Sequence, residues 1–548
     1  TVTADLVDKG VIGKNLPYIW QTGGRMLLVA GIGLLAALGN IYFAAHQAMQ
    51  VGQRLRAMLF AKVLSFSDEE ISRFGQSSLI TRTTNDVVQV QMTFMQLLRM
   101  LMQSPIMLVA GCILAYLQQP RLATVFAISL PLLAAIIGLL MYLAMPLFKS
   151  IQQKTDRINL IFREGLTGVR VIRAFRQDQR EQDRFAAANR DYTKTGIKAY
   201  TIISFMLPAV TLVLSLTNVG IVFLGSRLIA GRIMEVGRLL TFLTYATQIL
   251  MSFMMLSMLF IVIPRASVSA RRINEVLDAE NQLRDPVQPV KAPQGPASLE
   301  FDQVSFRYAG AEDPALSGIS FKAAAGQTLA LIGGTGSGKS TLVNLIPRLL
   351  DVEQGEVKVN GVAVTDLRQN DLHGLISLTQ QKAVLFKGTV RSNLLFGKAT
   401  ASEKEMWHAL EIAQAAGFVK ENGGLDAVVE AGGANFSGGQ RQRLAIARTI
   451  IKDAAIYIFD DSFSALDFKT DAALRQALAA DEKMRQAITV IVAQRVSTVA
   501  NADQILVLDG GRVVGQGKHE ELKRTCPNYQ QIVASQFQKG GREDAPRS

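Results

Sequence analysis

The sequence predicts two domains of unlike class in series. An all-α membrane domain occupies residues 1–280 and an α/β domain residues 299–538, with a linker at 281–298 and a polar tail at 539–548. Three observations predict this. Five uncharged apolar runs, at 26–45, 100–120, 122–148, 199–226 and 239–264, each reach the roughly 20 residues that span a bilayer. Beyond residue 299, short β-rich runs alternate with helical ones, as in a domain whose helices cover a parallel sheet. Between the two lies a proline-rich connector, Asp285-Pro286-Val287-Gln288-Pro289 with Pro293 and Pro296, which cannot sustain a helix.

The connections between the apolar runs alternate in length. Residues 118–121 and 227–238 are short, whereas 46–99 and 149–198 are long, charged and helical in pattern. The second long one carries Lys149, Lys154, Arg157, Arg163, Arg170, Arg173, Arg176 and Arg180, which places the long connections in the cytoplasm. Arg227, Arg232 and Arg238, in an outside turn, are an exception. The last run then ends inside at Arg265, five spans put Thr1 outside, and a further span is expected ahead of Thr1. The formal net charge of +13 is accounted for by this orientation, so no nucleic-acid partner is expected. Two cysteines, Cys112 and Cys526, allow neither a disulfide framework nor a cysteine metal site within the chain.

In the second domain Leu329-Ala330-Leu331-Ile332 reads as a buried strand. It is followed directly by Gly333-Gly334-Thr335-Gly336-Ser337-Gly338-Lys339-Ser340-Thr341 and an apolar helix. This is G-x-x-x-x-G-K-[S/T] in its strand–loop–helix setting. The glycines let backbone N–H groups turn inward around phosphates, and the helix N-terminus adds positive potential. Lys339 reaches the β- and γ-phosphates of ATP, and Ser340 offers its hydroxyl to Mg²⁺. A second apolar strand, Ala454-Ala455-Ile456-Tyr457-Ile458-Phe459, delivers Asp460, the carboxylate that orients Mg²⁺.

Between these elements stands Phe436-Ser437-Gly438-Gly439-Gln440, ahead of a helical run at 441–451. Here the sequence resembles the ATP-binding cassette family, whose signature is L-S-G-G-Q. The resemblance covers essentially the whole chain. It implies a type I exporter fold with six membrane helices per half, a multi-pass protein of the plasma (inner) membrane and a cytoplasmic cassette. Tyr308 resembles the aromatic that stacks on adenine. Gln381, in Thr379-Gln380-Gln381, looks like the glutamine that touches Mg²⁺ and senses the membrane domain, and Ser464-Ala465-Leu466-Asp467 matches the D-loop. Ser78-Leu79-Ile80-Thr81-Arg82-Thr83-Thr84-Asn85-Asp86 and Gly168-Val169-Arg170-Val171-Ile172-Arg173-Ala174-Phe175 look like the intracellular loops of exporters. In that family short coupling helices in these loops dock on the cassettes, here expected at 66–74 and 175–184.

Besides Phe436 in place of the signature leucine, two positions depart from the family in ways that bear on hydrolysis. It places glutamate after the second-strand aspartate and histidine in the following switch strand, where this chain has Asp461 and Gln494. A base shorter by one methylene falls about one bond length short of an attacking water, and such misplacement costs on the order of 100-fold. A neutral amide at the switch removes any cationic contact with the γ-phosphate. Cassettes of this family pair head to tail, each ATP lying between one partner's phosphate loop and the other's signature. The resemblance therefore implies a heterodimer whose partner supplies the intact catalytic pair, completed by Ser437, Gly438, Gly439 and Gln440 of this chain. This chain's own site would bind ATP and rarely hydrolyse it. The five runs carry no internal charge, which fits an apolar or amphipathic cargo, and similarity to bacterial multidrug exporters implies drug-like compounds. Lipid or lipopeptide flipping, a homodimeric exporter and an ATP-gated regulator are the alternative readings.

Overall fold

The computed structural model describes residues 2–293 and 295–540; of the tail expected at 539–548, the first two residues end the helix Pro527–Gly540 and 541–548 lie outside the described residues. The chain separates into two units: residues 1–65 with 74–279, and residues 66–73 with 280–548.

The first unit is helical. Its five apolar segments are Leu16–Leu64, Gln76–Gln118, Pro120–Thr167, Asp178–Ala230 and Val236–Leu277, each long and apolar enough to cross a membrane. The first holds 49 residues, about 73 Å at 1.5 Å per residue, more than twice the ~30 Å hydrocarbon core. The helices therefore continue well past the bilayer. Large side chains such as Leu27, Leu35, Ile128 and Tyr142 point outward, as a lipid-facing surface requires. Inside, Phe126 stacks on Phe242 at 6.3 Å among Ala115, Leu122, Ile221 and Ile249. Gly111 is a close-approach point, since a Cβ there would sit 2.8 Å from Ile249 Cγ1; small residues let membrane helices pack this tightly. Prolines lie inside three of the helices, at 105, 131, 146 and 264. Each withholds the N–H that the carbonyl four residues earlier would accept.

The exporter-like motif at 78–86 is explained by its partners on the last helix. Residues Arg82–Asp86 form a π-helical segment. Asp86 accepts from Ser269 Oγ at 2.8 Å and pairs with Arg272 at 3.3 Å, while Arg82 pairs with Glu275 at 2.9 Å. The expected coupling segment at 66–74 is a helix, Asp68–Phe74, and residues 66–73 pack with the second unit. The one expected at 175–184 is not a separate helix. A short helix, Val169–Ala174, ends in a corner where Arg176 has φ 54°, and the chain then enters Asp178–Ser204. Asp178 and Glu181 favour a helix start there, and no Gly or Pro interrupts residues 178–184.

The second unit contains a four-stranded sheet, a six-stranded sheet and a short antiparallel pair of distant segments, β7 Gly388–Thr389 with β8 Val428–Val429. The first has order β2-β1-β4-β5, with β1 Ser298–Phe306, β2 Leu316–Ala324, β4 Gln354–Val359 and β5 Val362–Ala363. The larger sheet has order β12-β11-β3-β10-β9-β6. Its strands are β3 Thr328–Gly333, β6 Ile376–Thr379, β9 Ile456–Asp460, β10 Ile488–Ala493, β11 Gln504–Asp509 and β12 Arg512–Gly517. All neighbours in it are parallel except β11 and β12. Alternate residues feed two separate cores: Ala330, Ile332, Tyr457 and Phe459 one, Leu329, Leu331, Ile456 and Ile458 the other. Burial on both faces is why these strands read as unbroken apolar runs.

Candidate functional site: the phosphate loop and the carboxylates beside it

The register of the large sheet assembles the site. Val492 lies opposite Leu331 on one side and Asp460 on the other, so β3, β9 and β10 end side by side. Ligands of open α/β sheets bind outside such carboxyl ends. There the phosphate loop, Asp460, Asp461 and Gln494 leave their strands together.

Gly333 closes β3, and Gly334, Thr335 and Gly336 run exposed over the top. Gly338 caps the helix Lys339–Leu345 at φ 95°. A side chain there would be strained and its Cβ would sit 2.8 Å from Ala315 O. Lys339 Nζ donates to Gly333 O at 2.9 Å, Gly334 O at 2.6 Å and Ser337 Oγ at 3.2 Å, which holds the ammonium within the loop. Burial lowers its pKa, against the opposing pull of Asp461 and Asp460. Ser340 Oγ donates to Asp460 Oδ1 at 3.2 Å. A hydroxyl and a carboxylate oxygen side by side suit a hard divalent cation that keeps most of its waters, the manner in which Mg²⁺ binds. Tyr308 reaches the same helix through Thr341, its hydroxyl 3.0 Å from Thr341 Oγ1. Its ring, edge-on to Phe306, is 47% exposed and so open to a stacking partner.

Asp461 sits at φ 45°, in the left-handed region, with its N–H bonded to Val492 O at 3.1 Å. Its Oδ2 accepts from Gln494 Nε2 at 2.7 Å and from Gln381 Nε2 at 3.3 Å. Burial raises its pKa, offset in part by bonds from Ser464, Gln494 and Gln381. The two family departures therefore touch each other, and the glutamine expected to sense the membrane domain meets them. Asp460 is also raised by burial, with the Ser340 bond opposing.

The signature turn has its own scaffold. Ser437 caps the helix Gly438–Ile450 in a reciprocal box with Gln440, and Gly439 approaches Ala465 O of the D-loop. Phe436 is buried against Phe418, rings 6.1 Å apart. Among the described residues no hydrogen bond joins this turn to the phosphate loop. Sequence reasoning missed two groups at the site. Arg495 donates to Ser464 O and Leu466 O, both at 3.3 Å, and Gln536 bonds the backbone beside Gln494. Position next to the switch could have flagged the first; no local signal marks the second.

Known proteins agree with this construction. Residues 2–253 match the family model described as the ABC transporter transmembrane region, and residues 316–464 the ABC transporter model. An uncharacterized ABC transporter ATP-binding protein of Mycobacterium tuberculosis is 42% identical, over 98% of this chain and 92% of that protein. An ATP-dependent lipid A-core flippase of Desulfotalea psychrophila is 29% identical over 97% and 92%. Among solved structures, a bacterial Atm1-family ABC exporter with ATP bound superposes with TM-score 0.79 at 25% identity, covering 100% of this chain and 95% of that one. The chain thus belongs to the ABC transporters, as an exporter half-transporter with the type I exporter fold that traverses the membrane several times and carries its ATP-binding domain in the cytoplasm.

Proposed function

We propose that this half-transporter is one subunit of a heterodimeric exporter of hydrophobic or amphipathic compounds, whose own phosphate loop holds ATP as a slow clamp. The observation that carries the reading is the 2.7 Å bond between Gln494 and Asp461. A general base must present a free lone pair to the attacking water. One of the two Asp461 carboxylate oxygens, Oδ2, is instead shared by two amide donors. Binding and hydrolysis separate here: Lys339, the loop N–H groups, Tyr308, Ser340 and Asp460 bind ATP, and the carboxylate that would activate water is one methylene short and tied at one oxygen by Gln494 and Gln381. Mg²⁺, when bound by Ser340, Asp460 and Gln381, supplies neutralisation of phosphate charge. Ser437, Gly438, Gly439 and Gln440 complete the partner's site, where hydrolysis resets the cycle.

The cargo reading is supported by spans without internal charge and by a groove on the last helix formed by Leu243, Thr244, Thr247, Gln248 and Met251. Amide, hydroxyl and thioether groups on an apolar wall suit neutral, drug-like molecules of varied shape. A lipid flippase is the second reading, favoured by the lipid A-core flippase among the relatives. The test is purification with a tagged neighbouring half-transporter, followed by transport in inverted vesicles. A mixed dimer that accumulates a hydrophobic dye on ATP addition supports the proposal. Recovery of a lone homodimer that pumps equally well overturns the heterodimer. Transfer of labelled lipid without dye uptake selects the flippase, and helix movement with no transport of either selects an ATP-gated regulator.

A further inference from the structure

The switch segment just beyond β10 is held from three sides. Gln494 Nε2 reaches Asp461, Arg495 reaches the D-loop carbonyls, and the third hold comes from the helix Pro527–Gly540. Gln536 on that helix donates Nε2–H to Gln494 O at 2.7 Å and accepts from Val496 N–H at 2.8 Å. β10 ends at Ala493, so these backbone groups have left the sheet ladder and need partners elsewhere. A primary amide carries one acceptor and two donors in a plane and can pair with a backbone donor and acceptor together.

The supporting helix is itself anchored. Tyr529 is fully buried with its hydroxyl 2.7 Å from His519 Nδ1, and Val533 is buried four residues on. Gln536 follows at the next helical repeat, on the same face, where an apolar residue would continue the stripe. Gln536 is half-buried there, and both ends of its amide are paired with the switch.

We propose that Gln536 is a positioning residue of the ATP site, fixing the switch backbone so that the Gln494 side chain meets Asp461. This rests on the reading of Asp461 and Gln494 as parts of the nucleotide site. The C-terminal helix thereby sets how firmly Asp461 stays tied, and so how long ATP on this chain escapes hydrolysis.

The test uses the full transporter with its partner subunit, with photo-reactive azido-ATP as probe and the label on this chain read after the subunits are separated. Gln536→Ala should speed exchange of the Val496 amide about tenfold and shorten ATP retention on this chain about fivefold. Gln536→Glu keeps the acceptor and the shape, so Val496 should stay protected while retention falls. In a Gln494→Ala background Gln536→Ala should shorten retention less than about twofold, because both act through one contact. Unchanged Val496 exchange in Gln536→Ala, or full additivity of the two substitutions, overturns the proposal. Absence of Lys339-dependent labelling in the parent protein would instead defeat the ATP-site reading, with the Val496 exchange still deciding whether Gln536 holds the switch.

Discussion

At Asp461 two amides compete for one oxygen, and that competition decides what substitution can do. Asp461→Glu alone lengthens the carboxylate but leaves Gln494 and Gln381 bonded to it or displaced by it. Gln494→His alone removes the shorter bond without supplying reach. The double variant supplies both and should raise ATP hydrolysis by about tenfold or more, beyond the product of the single effects, because directly bonded residues couple. Steady-state ATPase assays of the four-membered cycle check this, and a flat result counts against the proposed cause of impairment. Phe436 is a different kind of departure. Its ring fills core space against Phe418, with Arg443 over that neighbour at 4.8 Å. Phe436→Ala should cost about 3–5 kcal/mol of cassette stability, and Phe436→Leu, the family residue, much less; thermal denaturation with the signature otherwise intact measures both.

Among elements, the helix Asp68–Phe74 shows how a short segment is fixed by one buried charge. Glu70 is 4% exposed and accepts from Ser67 N and Oγ, at 2.6 and 2.5 Å, and from the connector at Gln282 N, at 2.9 Å. Burial alone pushes its carboxyl upward, but these donors outweigh it and hold the carboxyl below the usual glutamate range. The sign follows: a depressed carboxylate stabilises above its unfolded pKa and the contribution is lost as pH falls through the folded value. Tryptic cleavage after Arg73 should therefore be slow at neutral pH, where the carboxylate is ionised, and should quicken about tenfold in Glu70→Ala, the loss expected for hydrogen bonds to a charged group. Equal cleavage in both forms would refute the anchor. Elements such as the phosphate loop, β9 and the signature helix were legible in sequence because each writes its chemistry within a few consecutive residues. The second cytoplasmic segment was placed wrongly because its corner at 175–177 has no glycine or proline to announce it. Contacts joining Gln381, Asp461, Gln494 and Gln536 were not legible at all, since parallel strands bring distant positions together and only register decides which meet.

For the molecule as a whole, the proposed head-to-tail pairing with a second half-transporter makes two substitutions report on two different ATP sites. Ser437→Ala should depress hydrolysis by the mixed dimer about 10- to 100-fold, because it strikes the partner's site. Lys339→Ala should depress it less and should abolish nucleotide retention on this chain; the reverse order overturns the division of labour. Driving a 1:99 conformational ratio to 99:1 takes about 5.5 kcal/mol of preferential binding, and in the proposed dimer the slow site would contribute to it throughout repeated turnovers at the other. The reorientation so driven meets rods that are already scored. Prolines 105, 131 and 146 leave the carbonyls of Leu101, Ala127 and Tyr142 without their helical donors. Flexing at those creases therefore breaks no rung that the straight form possessed, which confines the motion to a few pivots and spares the long helices from melting.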